Sequence, residues 1–162
     1  MKRRILPLLA ALLLLSAALA EGPSIPAAAS AMDAFRKAGV ECTFPGTDPE
    51  GRELLSVILP EPALSGRPLL FLFAPDSEEA ALYVLDLATV KPGNEAAAMD
   101  LCNRLNTEYR FFRFCYTPED RAVLMDCDLA FRGAAGEICA EIALMAGETL
   151  LETLPLLAAL AE

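Results

Sequence analysis

The chain contains no histidine and no tryptophan. Without His, Ser-His-Asp and Cys-His nucleophilic catalysis are excluded. So are His-ligated zinc and the side chain that most readily moves protons near neutral pH. Lysine is scarce: past residue 20 only Lys37 and Lys91 remain, neither in a Ser-x-x-Lys arrangement, which removes the Ser-Lys route of acyl transfer. No Cys-x-x-Cys pair occurs among Cys42, Cys102, Cys115, Cys127 and Cys139, so neither a thioredoxin-type site nor a zinc ribbon is indicated. In an oxidising compartment the odd number of cysteines leaves at least one thiol unpaired or paired between molecules. No motif calls for a cofactor, and no internal repeat is present.

What is present begins with a three-part targeting pattern. Lys2, Arg3 and Arg4 precede an apolar run from Ile5 to Leu15, and Ala18 and Ala20 give the small residues of a cleavage site. The run is shorter than the roughly 20 apolar residues of a membrane span, and Glu21 and Gly22 stop it. The pattern predicts a signal peptide over residues 1–20, cleaved after Ala20, and an exported protein, periplasmic or extracellular, with no stable membrane anchor after cleavage. Three of the 13 basic residues and none of the 23 acidic ones lie in that segment. The remainder therefore carries ten against 23, a net of −13. Such a balance disfavours nucleic acid and anionic membrane surfaces, both of which require cations against phosphate. The 142 residues after Ala20 suit one domain.

Residues 21–30 read as a linker and residues 31–162 as the domain. Ser30, three residues before Asp33, reads as a helix cap for Ala31–Ala38, with Gly39 as its stop. Strands are expected at Val40–Phe44, Glu53–Leu59, Leu69–Phe73 and Ala81–Leu87. Pro45 to Gly51 forms a turn between the first two. Leu69–Phe73 is apolar at every position, which predicts a strand buried on both faces. Asn94 caps a second helix reaching about Thr107, with Ala98, Leu101, Cys102 and Leu105 as its apolar stripe. Arg110–Tyr116 and Ala122–Phe131 form a hairpin. Phe112, Phe114 and Tyr116 share one face with Val123, Met125, Cys127 and Leu129, which sets Cys115 and Cys127 on opposite sides. Cys102, Cys127 and Cys139 on apolar sides read as buried free thiols, and any disulfide would instead join helices, for example Cys102 to Cys139. Residues 136–153 form a third helix, with Ile138, Ile142, Met145 and Leu154 near one side and Pro155 at its end. This order predicts an α+β fold, an antiparallel sheet with helices packed against it.

The segment Leu101-Cys102-Asn103-Arg104-Leu105-Asn106, followed closely by Arg110-Phe111-Phe112-Arg113-Phe114 and a long closing helix, resembles the YbjN-like family. Phe35 to Val40 is similar to that family's opening. The resemblance spans roughly residues 31–158. It implies a fold similar to type III secretion chaperones, often dimeric, in a bacterial family described as sensory-transduction regulators without an established reaction. It carries over no catalytic residue.

Three constellations remain. Asn103 and Asn106 share one side of the helix end and are the candidate polar contacts, with local helix termination as the alternative. Asp126 and Asp128 project from one strand face, read as its solvated side. The acidic groups Asp48, Glu50 and Glu53, and Asp76, Glu78 and Glu79, do not match calcium-loop spacing. The reading that follows is a non-catalytic binding or chaperone-like regulatory domain with a protein or peptide partner, no metal site and a homodimer as one arrangement. Its rivals are an enzyme using carboxylates and an acidic cation-binding protein. An apolar patch beside the sheet would favour the binder.

Overall fold

The computed structural model describes residues 22–75 and 78–161. The signal peptide and its cleavage point lie outside them. Three helices, α1 (Pro26–Lys37), α2 (Glu95–Glu108) and α3 (Ala135–Ala158), pack with six strands. The strands are β1 (Glu41–Thr47), β2 (Glu53–Ile58), β3 (Leu69–Phe73), β4 (Glu79–Thr89), β5 (Arg113–Thr117) and β6 (Ala122–Ala130). They form one antiparallel sheet in the order β1-β2-β3-β4-β6-β5. The first four strands run as a meander. α2 then carries the chain to the far edge, and β6 returns between β4 and β5. This is the α+β class that the element order predicts.

One cluster of buried side chains joins all three helices to one face of the sheet. It takes Ala31 and Phe35 from α1, Leu101 and Leu105 from α2, and Ala143 and Leu150 from α3. These meet Leu55, Phe71, Leu82, Phe114 and Met125 of the strands. The Phe35 and Phe71 rings meet at 5.4 Å, and Phe73 and Phe131 stack at 5.8 Å. The predicted α2 stripe is buried at all four positions. Cys127 lies in this cluster while Cys115 points to the other face.

The start of the domain differs from the expectation. Residues 26–30 are helical, not linker, and Ser30 lies inside α1 instead of capping it. Pro26 stands at the first helical turn, where its missing N–H costs nothing, and three alanines follow, the best helix formers. No side chain of α1 caps its start. Glu53, only 3 % exposed, reaches across from β2. Its carboxylate accepts Ser24 N at 2.7 Å, Ser24 Oγ at 2.6 Å and Ile25 N at 2.9 Å. A buried carboxylate is thereby satisfied, and residues 24–25 are fastened to the sheet.

At its other end α1 closes as predicted. Val40 N donates to Phe35 O and Gly39 N to Arg36 O, with Gly39 at φ +71°. β1 runs past the expected turn to Thr47, with a bulge between Thr43 and Gly46. It is an edge strand, where Pro45 interrupts no central ladder. The turn itself is held by Asp48, which accepts Glu50 N and Arg52 N and pairs with the Arg52 guanidinium at 2.6 Å.

Asn94 does not cap α2. Its Nδ2 donates to Leu160 O instead. α3 continues through Pro155 to Ala158, since only one helical turn follows the lost amide. Its inward line is Cys139, Ala143, Ala146, Leu150 and Leu157. Ile138, Ile142, Met145 and Leu154 flank that line, half-buried. The small residues face inward because α1 crosses closely here. A Cβ on Gly136 would stand 2.9 Å from both Ser30 O and Ser30 Oγ.

Candidate functional site

Strand alternation gives the sheet a second face, and among the described residues no helix packs on it. Registers align Leu54 with Leu72, Ala81 and Asp128 across β2, β3, β4 and β6. The neighbouring row holds Ser56, Leu70, Tyr83, Asp126 and Arg113. Leu85 and Leu124 lie further along the same side, and Cys115 stands opposite Leu124. Leu54 and Leu70 are only 2 % and 9 % exposed, yet neither belongs to the core cluster. Leu72, Tyr83, Leu85 and Leu124 are half-buried, and Ile58 is exposed. Antiparallel sheets covered on one side ordinarily alternate apolar-in and polar-out. Here both faces are apolar through the sheet centre, and the described helices cover one. The signal was in the sequence: β3 is the strand expected to be buried on both faces, and the described helices reach only one of them.

The polar part of this face is an ion-pair group. Arg113 Nε lies 2.7 Å from Asp126 Oδ1, and its terminal nitrogen is 4.0 Å from Asp128 Oδ2. Asp126 is only 8 % exposed, so its side chain is not the solvated one expected. Arg113, its direct cross-strand partner in β5, draws it into a pair, and that contact in turn pushes the guanidinium pKa up. Two aspartates engaged by one arginine are poorly placed to act as an acid and a base.

Asn103 and Asn106 separate in role. Asn106 turns to β5: its Oδ1 accepts Phe114 N at 2.6 Å and its Nδ2 donates to Phe114 O at 3.0 Å. The amide thus occupies the backbone groups that another strand would use. Asn103 is exposed, and its backbone carbonyl accepts the Thr107 hydroxyl. The two residues do not converge on one point. With Pro45 on β1 and Asn106 against β5, both sheet edges carry a guard against strand addition.

The remaining candidates disperse. Asp48 and Glu50 are tied to Arg52, and Glu53 to the start of α1. Asp76 lies outside the described residues. Among the described residues no group of three or more Cys, Asp and Glu gathers as a metal site. All five thiols are free, so Cys102 and Cys139 are not joined. Burial pushes Cys42 and Cys102 up to about 11 and Cys139 up to about 12. Thiols held protonated in this way are packing groups, not nucleophiles. A hollow of about 620 Å³ opens between the starts of α1 and α3, lined by Ser24, Pro26, Glu78, Phe131 and Ala135 among others. Among the described residues, Glu78 is the one charged side chain in its lining. Among the described residues no helix is long and apolar enough to cross a membrane.

No curated protein sequence matches this chain. The family described as "Putative bacterial sensory transduction regulator" matches residues 61–154, a span that includes β3, β4, β5 and β6 of the helix-free face and most of α3, and the chain belongs to this YbjN family.

Proposed function

We propose that this protein is an exported, non-catalytic binding domain, regulatory or chaperone-like, that holds a protein or peptide partner against the helix-free face of its sheet. One observation carries the reading: half-buried Leu72, Tyr83, Leu85 and Leu124 and exposed Ile58 form an apolar field on a face that no described helix covers. Burial of such a field by a partner is favourable at about 25 cal/mol per Å² before the costs of association. The guarded edges favour a partner lying across the face over one that extends the sheet. Regulation through binding also agrees with the family description. Export rests on the pattern of residues 1–20.

The test is an affinity pull-down of the mature protein from the producing cell's envelope and medium. Three baits are compared: the unmodified protein, a Tyr83→Ser/Leu124→Ser variant, and a Leu144→Ser variant altered on the outside of α3. The reading expects a discrete partner that the first and third retain and the second loses. Equal retention by all three would contradict it. N-terminal sequencing of the exported material should begin at Glu21; an intact Met1 on membrane-embedded protein would contradict export by cleavage.

A further inference from the structure

We infer that removal of the signal peptide and attachment of residues 24–25 to Glu53 exclude one another: the bond after Ala20 is cut only while those residues are free, and the start of the domain locks once residues 1–20 have gone. This rests on the proposed export through that segment and adds an order of events to it. In the cut, water adds across the Ala20–Glu21 peptide bond, leaving a carboxylate on Ala20 and an amine on Glu21.

Three residues, Glu21, Gly22 and Pro23, separate that bond from Ser24. Fully extended, they span about 10–11 Å, the width of one α-helix with its side chains. Ser24 is where the fold takes hold. The Glu53 carboxylate accepts the Ser24 and Ile25 amides at 2.7 and 2.9 Å and the Ser24 hydroxyl at 2.6 Å. A peptidase needs substrate backbone that is exposed and free of other hydrogen bonds on both sides of the bond it cuts. With Glu53 engaged, the whole body of the domain stands within a helix width of that bond, where the peptidase must close around the chain. Pro23 takes up part of the slack, because its ring fixes φ and restricts Gly22 before it.

The attachment does not open alone. Releasing Ser24 and Ile25 strips three donors from a carboxylate that is only 3 % exposed. Ala28, three residues after Ile25, is fully buried, and Ala31, Met32 and Phe35 follow it into the core. Residues 24–25 and α1 therefore come away together, as one local opening. Cutting of the folded precursor is limited to the molecules open in this way.

The full-length precursor, purified in detergent and treated with a membrane-bound signal peptidase, tests this. Three substrates are compared: the unmodified chain, Glu53→Ala, and a chain with a linker of about eight Gly and Ser residues inserted between Glu21 and Gly22. The insertion keeps the contacts from Ser24 onward and moves the bond away from the body. Mass spectrometry locates the cut and times it. The insertion should be cut at least about tenfold faster than the unmodified precursor, and Glu53→Ala at least about threefold faster. The melting temperature of the insertion variant should match that of the unmodified chain, so that its faster cutting reports distance and not unfolding. Equal rates for these two would overturn the inference and leave the signal peptide in place. A fast insertion with Glu53→Ala as slow as the unmodified chain would take the lock away from Glu53 and overturn the inference as well. No cut after Ala20 in any of the three would overturn the cleaved signal peptide and the inference together.

Discussion

The two faces of this sheet are built from the same strands and differ in what covers them. Leu55, Phe71, Leu82 and Met125 meet α1, α2 and α3. Leu54, Leu70 and Leu72, one position away along the same strands, meet no described helix. Alternation alone therefore does not distinguish core from surface here. β3 is apolar throughout, and on the side that no described helix covers Leu70 is still buried and Leu72 half-buried. Apolar character on the covered face is explained by folding. On the helix-free face it is not, and the partner proposed above would supply the explanation.

That contrast makes the largest prediction. Phe71→Ala removes a fully buried ring in contact with Phe35 and should cost about 3–5 kcal/mol in urea unfolding. Leu72→Ala, its neighbour on the other face, should cost about 1 kcal/mol or less. Equal losses would mean that the open face is structural core. Next is Glu53→Ala, which strips the acceptor from Ser24 and Ile25. Leaving those donors unpaired should cost about 1–3 kcal/mol and speed hydrogen exchange in residues 24–29 ahead of the sheet.

Two glycines of α3 sharpen the account of the covered side. A Cβ at Gly136 meets the Ser30 backbone, so Gly136→Ala should destabilise by about 1–3 kcal/mol as α1 is pushed away. At Gly147 the nearest atom, 2.7 Å away, is the tip of the Leu59 side chain, which can turn aside. Gly147→Ala should then be neutral or gain up to about 1 kcal/mol of helix propensity. Thermal melting of the two variants separates these signs.

The smallest effect is on pH. An ordinary thiol titrates at 9.0, while burial raises Cys42, Cys102 and Cys139. Above about pH 9 the unfolded chain releases protons that the fold retains, so stability falls as pH rises. The urea midpoint should drop between about pH 8 and pH 10.5, and replacing the three cysteines by Ala should flatten that slope. An unchanged slope in the triple variant would contradict the burial of these thiols.

Legibility in the sequence followed how sharply each segment separates apolar from polar positions. The α2 stripe, the Gly39 stop and the hairpin facing could all be read, because polar residues mark the opposite sides. On α3, Glu137, Glu141, Glu148 and Glu152 mark the outward side, but the rest of its circumference is apolar, and the larger Ile138, Ile142, Met145 and Leu154 drew the reading to the flank of the true inward line. Its inward line of small residues answers to the approach of α1, a tertiary fact. The start of α1 was missed because its cap, Glu53, lies on another strand, 28 residues from the nearest amide it accepts. Pro45 suggested a turn where an edge strand tolerates it. For the candidate site, the two-sided apolarity of β3 was legible, but its meaning was not. Only the placement of the described helices shows that they all lie on the other side. The pair Asn103 and Asn106 drew notice for their type and spacing. Asn106 is instead engaged by the backbone of Phe114, an arrangement that spacing along a helix does not reveal.

The most direct test of the docking face is photocrosslinking in the producing cell, with a photoreactive phenylalanine analogue placed at position 124 on the open face or at position 144 on α3. Both sites tolerate a larger side chain, since Leu124 is half-buried on the open face and Leu144 is 65 % exposed. The account predicts a discrete crosslinked protein from position 124 and none from position 144. A crosslink from position 144 alone would contradict it.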